Sequence, residues 1–256
     1  MIVIKNPEEM KRMAYACEVS AMALQAARTS IKAGATTLDV DHAVAECIKK
    51  AGAKASFLNY NGFKGNACVS VNDELIHGIP SKKKVIREGD IVTVDVGAYI
   101  GGFHGDNAYT FTVGEVDKET LRLLNVTQQS LYEGIKKAVV GNRIGDIGAA
   151  IQAYVEQNGF FIVKEYIGHG VGRDLHEDPE VPNYGKAGRG ARLVPGMTIA
   201  IEPMVNYSTA ECLRMKDGWT VVEKNHKPSA HFEHTIAITE GEPVILTRFG
   251  GADYAS

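Results

Sequence analysis

The sequence predicts an α+β fold built as two pseudo-symmetric halves, each a helix pair packed on antiparallel strands. Three observations carry this. Helix and strand signals run twice through the chain in the same order. A set of glycines and aspartates recurs at a constant shift of 107 residues. Acidic residues also stand at matching places inside apolar strand segments of both halves, where such residues are disfavoured.

The elements follow in order. Residues 6–31 predict a long helix, with Asn6 as N-cap and Pro7 at the first helical position. Residues 36–52 predict a second helix, with Val40, Val44, Cys47 and Ala51 on one face and Gly52 as its stop. Residues 117–141 and 145–159 repeat that pair. Strands are predicted over 90–99, 109–114, 197–205 and 234–239. Gly34, Asp39, Ala43 and Gly52 reappear as Gly141, Asp146, Ala150 and Gly159, and Gly89 as Gly196, all at the shift of 107. A unit that long does not fit a solenoid. One domain over 1–256 with halves of approximately 1–115 and 116–256 is therefore expected.

The chain has 256 residues, 45% hydrophobic and 23% charged, which is ample for a sizeable core. A net charge of -3 argues against a direct nucleic-acid footprint. Met1-Ile-Val-Ile runs straight into Lys5, Glu8 and Glu9, and no stretch reaches the length of a membrane span. Cys17, Cys47, Cys68 and Cys212 show no C-x-x-C spacing, so reduced thiols in a cytoplasmic protein away from membranes are expected.

The strand acids are the unusual feature. The shift of 107 carries Asp95 onto Glu202. Asp106 lies eight residues before Gly114, and Glu233 lies eight before Gly241, as if the second hairpin were about 20 residues longer. Symmetry gathers these four carboxylates at the seam between the halves. Like charges cannot share a buried site unaided, and two divalent cations balance them. His169, between Gly168 and Gly170, and His176, seven residues on, supply imidazoles nearby. Mixed nitrogen and oxygen donors suit Mn, Fe, Co or Zn. His77 precedes Gly78 and Pro80, on a stiff loop at a strand end. Ordinary surface or core roles are expected for His42, His104, His226, His231 and His234. No H-E-x-x-H, phosphate-binding loop, G-x-G-x-x-G or G-x-S-x-G motif occurs.

With "VNDELIHGIPSKKKVIREGDIVTVDVG", "GDNAYTF", "GHGVGRDLHEDP", "IAIEPM" and "FEHTIAIT" in place, essentially the whole chain resembles the short bacterial type of methionine aminopeptidase. The resemblance implies the pita-bread fold with a central curved sheet. It implies that Asp95 and Asp106 bind one metal and that Asp106, His169, Glu202 and Glu233 bind the other, with Asp106 and Glu233 bridging. Catalytic roles for Glu202, His77 and His176 follow from it, Glu202 carrying the proton. So does a methionine pocket of Phe57, Tyr60, Phe63, Cys68, Leu175 and Trp219 beside His77 and His176, and a monovalent-cation site of backbone carbonyls near Asn72 and Ser229. The implied partners are peptides and nascent chains beginning with methionine, with ribosome contact plausible for such an enzyme and a monomer expected. The chain departs from the common pattern at Phe57 (cysteine is frequent), Phe63 (tyrosine) and His231 (glutamine). These changes are expected to alter the pocket and to leave the metal site alone. Two alternatives are a proline-specific aminopeptidase on the same fold and a metal-free pita-bread binding module. Both are disfavoured, the first because such enzymes usually carry a large N-terminal domain, the second because all five ligand types are present.

Overall fold

The computed structural model describes residues 1–248. Helix α1 (Pro7–Ser30) starts where Asn6 accepts the N–H groups of Glu8 and Glu9 while Glu9 caps the backbone of Asn6. Helix α2 (Thr37–Lys50) returns against it. Short strands β1 (Lys54–Ala55), β2 (Ala67–Val71) and β3 (Glu74–Ile76) lead into a long hairpin, β4 (Ile91–Ile100) and β5 (Phe103–Thr112). Its turn consists of Gly101 and Gly102, both at positive φ, the conformation that matches the twist of the flanking strands. Helices α3 (Lys118–Ile135) and α4 (Ile144–Gln157) open the second half. There follow β6 (Phe161–Ile162), β7 (Gly168–Gly170), β8 (Glu177–Val181), β9 (Thr198–Ile201), β10 (Met204–Asn206), β11 (Cys212–Arg214), β12 (Val221–Glu223), β13 (Ser229–His231), β14 (Glu233–Ala237) and β15 (Val244–Ile245).

The sequence repeat reappears as repeated geometry. Asp39 accepts the N–H of Thr36 at the start of α2, and Asp146 accepts that of Arg143 at the start of α4. Isolated bridges join Thr36 to Val85 and Arg143 to Arg192, again 107 residues apart. Gly34 and Gly141 share a left-handed backbone, φ +89° and +96°. The two helix pairs sit on two apolar cores: Val19, Leu24, Val44 and Ile48 against β2 and β4, and Leu123, Leu131, Ile147 and Ile151 against the strands of the second half.

Strands from both halves share one nine-stranded sheet, with the path β1-β4-β5-β14-β9-β7-β8, β2 pairing β4 and β15 pairing β14. The seam is the pairing of β5 with β14. Two three-stranded sheets, β13-β10-β6 and β11-β12-β3, flank it.

Two expected elements are shorter. The helix predicted to Gly141 stops at Ile135, where the bonds tighten to the third carbonyl back, from Lys137 to Gly134 and from Ala138 to Ile135. The strand predicted over 197–205 is two strands, because Pro203 lacks an N–H and interrupts the ladder. Its downstream part joins a different sheet, and Glu202 stands at the break.

Helix α1 lies unusually close to the hairpin at Gly105. A Cβ there would stand 2.4 Å from the Ala16 carbonyl oxygen and 2.5 Å from Cys17 Cα, both backbone atoms that cannot swing aside. Gly105→Ala is expected to cost about 2–3 kcal/mol in denaturant unfolding, an overpacking penalty; an unchanged midpoint would show that α1 floats on the sheet.

Candidate metal centre and substrate pocket

Sheet register explains how the acids meet. Asp95 on β4 and Glu233 on β14 both lie opposite Ala108 on β5, one from each side. Asp106 lies two residues before Ala108 and shares its face. His234 pairs with Ile201, which places Glu202 next to Glu233 past the end of β9. His169 comes from β7, the strand beyond β9. One ligand atom each from Asp106, His169 and Glu233 lies within 4.8 Å of the others. His169 Nε2 is 3.8 Å from Asp106 Oδ2 and 3.6 Å from Glu202 Oε1.

The protonation pattern follows from burial. Removal from water pushes the Asp95 carboxyl up to about 7, with Glu202 adding to the rise and His231 opposing it. Glu202 is raised to about 8 by burial. Asp106 and Glu233 are held well above the carboxylate range by burial and then by the neighbouring acids. His169 is lowered to about 3, chiefly by burial and also by His176. Its Nδ1 lies 2.8 Å from the Gly170 carbonyl oxygen, which can only accept, so Nδ1 carries the proton and Nε2 presents a lone pair. Asp95 Oδ1, Asp106 Oδ1 and Glu233 Oε1 are buried with no hydrogen-bond partner among the described residues. Orphaned carboxylate oxygens beside a neutral imidazole lone pair are what a divalent cation requires. The residues fit a metal.

A cavity of about 280 Å³ opens over this cluster. Every predicted pocket residue lines it: Phe57, Tyr60, Phe63, Cys68, Leu175 and Trp219, together with His77 and His176. Phe63 meets Trp219 edge-on at 5.1 Å. The Tyr60 hydroxyl lies 2.8 Å from His176 Nδ1, with the rings stacked. His77, lowered to about 4 mainly by burial, stands edge-on to Tyr166 and Trp219.

Two anchors hold these walls. The buried Asp41 carboxylate on α2 accepts the N–H groups of Asn66 and Ala67 and the Asn66 side-chain amide, tying down the loop that carries Phe57, Tyr60 and Phe63. Glu177 accepts the N–H groups of Arg173 and Asp174 and pairs at 2.7 Å with Lys5, whose side chain is 1% exposed; this holds the turn bearing Leu175 and His176. Elsewhere, the Ser229 N–H donates to the Asn72 carbonyl, so those two residues are adjacent.

One expectation needs correction. The departure at His231 is expected to touch the pocket and to leave the metal site alone; His231 does line the cavity, but its buried Nε2 also stands 3.5 Å from Glu202 Oε2. The signal was its position two residues before Glu233, which keeps it on the same side of an extended chain. Tyr166 and Ile167 also line the cavity, and no periodicity marked them. His104 bonds Ser56, His226 pairs with Asp73 and His234 bonds Thr247, so these three have other partners.

Comparison with known proteins agrees with this geometry. The chain matches metallopeptidase family M24 over residues 11–240. It belongs to that family. Methionine aminopeptidase 1 of Bacillus subtilis is 49% identical, covering 97% of this chain and 100% of the relative. A methionine aminopeptidase of Clostridium acetobutylicum is 47% identical over 96% of this chain and 99% of its own. The crystal structure of methionine aminopeptidase from Thermotoga maritima superposes with a TM-score of 0.95 at 48% identity, covering 97% of this chain and 100% of that one. Prolidase from Pyrococcus furiosus shares the fold with a TM-score of 0.78 at 25% identity, and the match spans 65% of its length. Within M24 the chain therefore groups with the methionine aminopeptidases: it is a metal-dependent aminopeptidase, a hydrolase, with the pita-bread fold. No helix of the described residues is long and apolar enough to cross a membrane.

Proposed function

We propose that the protein removes the N-terminal methionine from peptides and nascent chains, preferring a small second residue, as one catalytic domain formed by duplication. The observation that carries this is the cluster of orphaned carboxylates and a neutral imidazole at the base of an apolar cavity. Asp95, Asp106, His169, Glu202 and Glu233 would hold two divalent ions, of Co, Mn, Fe or Zn. Such ions supply an activated water and polarise the scissile carbonyl. A monovalent cation near Asn72 and Ser229 belongs to the same proposal.

The chain's own residues do the rest. Phe63, Cys68 and Trp219 offer soft, polarizable walls to a thioether side chain. Glu202 takes the proton of the attacking water and passes it to the leaving amine. His176 donates to the carbonyl oxygen as negative charge develops there. For that its Nε2 must carry the proton, which leaves Nδ1 free to accept from the Tyr60 hydroxyl 2.8 Å away. His77 lies by the peptide nitrogen, hemmed in by Tyr166 and Trp219, which favours a small second side chain.

Peptide assays test this directly. Methionine should be released from Met-Ala-Ser at least about tenfold faster than from Met-Leu-Ser, with no leucine released from Leu-Ala-Ser and all activity lost to a chelator. Cleavage of X-Pro dipeptides in preference to Met-Ala-Ser would replace this reading with a prolidase.

A further inference from the structure

Glu202 is flanked by two imidazoles. His169 Nε2 stands 3.6 Å from Oε1, and His231 Nε2 stands 3.5 Å from Oε2. The first imidazole is accounted for by its bond to the Gly170 carbonyl and its place among the ligand atoms. The second is not. His231 is 1% exposed, and among the described residues neither ring nitrogen has a hydrogen-bond partner. A buried N–H left unpaired is costly, so this ring must gain something for its place.

The backbone around it is held firmly. His231 N–H donates to Thr110 Oγ1 at 3.1 Å, and that hydroxyl donates back to the His231 carbonyl at 2.9 Å. Thr110 Oγ1 is itself 2.8 Å from Thr93 Oγ1. Glu202 Oε2 is an acceptor 3.5 Å from Nε2, and a closure of about 0.6 Å brings the pair to ordinary hydrogen-bond length. Catalytic hydrogen bonds are commonly long before substrate is bound.

We propose that His231 is a positioning residue for Glu202. Its Nε2–H donates to Oε2, which fixes the carboxylate with Oε1 turned toward His169 and the ligand cluster. Glutamine at this position offers an N–H of similar reach, so the histidine keeps the function with a stiffer group. The inference rests on Glu202 being the proton carrier.

Nitrogen-15 spectra of ring-labelled protein test it without any variant: His231 should be neutral with its proton on Nε2, and a proton on Nδ1 overturns the proposal. In kinetics on Met-Ala-Ser, His231→Leu should lower kcat about ten- to a hundredfold at nearly constant KM and with the parent's metal content. His231→Gln should recover most of that loss. Equal slowing by both variants, or no slowing by His231→Leu, overturns the proposal. The double variant with Glu202→Gln should be no slower than Glu202→Gln alone; a further drop shows that His231 acts elsewhere and overturns it. Near-normal turnover in Glu202→Gln by itself defeats the reading of Glu202, a failure distinct from that of His231.

Discussion

Glu202→Gln is expected to abolish turnover of Met-Ala-Ser, a loss of at least about a thousandfold, while one metal remains largely bound. The substitution is nearly isosteric. It keeps an oxygen to face the ligand cluster but removes the negative charge together with the capacity to take and pass a proton. The backbone should not move, because the Asn183 side-chain amide donates to the Glu202 carbonyl at 2.9 Å and Pro203 follows. Turnover rates and metal content measured on the same preparation separate lost chemistry from lost metal. Near-normal turnover would remove Glu202 from the reaction.

The second large effect concerns the metal-free protein. In the unfolded chain the carboxyls ionise near pH 4. In the folded, metal-free chain Asp95 keeps its proton to about 7 and Glu202 to about 8, with Asp106 and Glu233 also raised. Through that window the folded state binds more protons than the unfolded state, so stability falls as pH rises. His77, His169 and His231 act with the opposite sign. Their pKa values are lowered to about 4, 3 and 4, so their contribution is complete above about 6.5 and is lost as pH falls. The two sets oppose each other below pH 6.5, and above it the carboxyls act alone. Each retained proton costs about 1.4 kcal/mol per pH unit. From pH 6.5 to 8 the metal-free protein should therefore lose at least about 2 kcal/mol, a fall in Tm of roughly 4–8 °C. Saturating Mn²⁺ should flatten that slope. Calorimetry with and without metal checks both, and a metal-free Tm that rises with pH would contradict the clustering of the acids.

Much of the fold was legible because its signals are local. Asn6 with Pro7, and the aspartates at 39 and 146, mark helix starts by capping chemistry that acts within one turn. The acids were legible because a carboxylate inside a strand is costly enough to need a reason. The break at Pro203 was available in the sequence, yet a run of apolar residues on both sides masked it. The contact of His231 with the acids was not legible because it depends on distance to Glu202, 29 residues earlier in the chain and at the break after β9. Tyr166 was missed for the same reason, since its neighbours His77 and Trp219 come from distant segments. Local chemistry reads out one element at a time, whereas a cavity wall is assembled from many.

The Asp41 carboxylate bears on how this enzyme can diversify. Because the loop beneath Phe57, Tyr60 and Phe63 hangs from a helix through bonds to its main chain and to Asn66, its path is held by more than the packing of the rings above it. When side chains at 57 and 63 change, by natural drift or in a laboratory library, the main-chain bonds at Asn66 and Ala67 still anchor that loop. Inhibitor selectivity between related enzymes can therefore evolve at those two positions while the reaction itself is inherited intact.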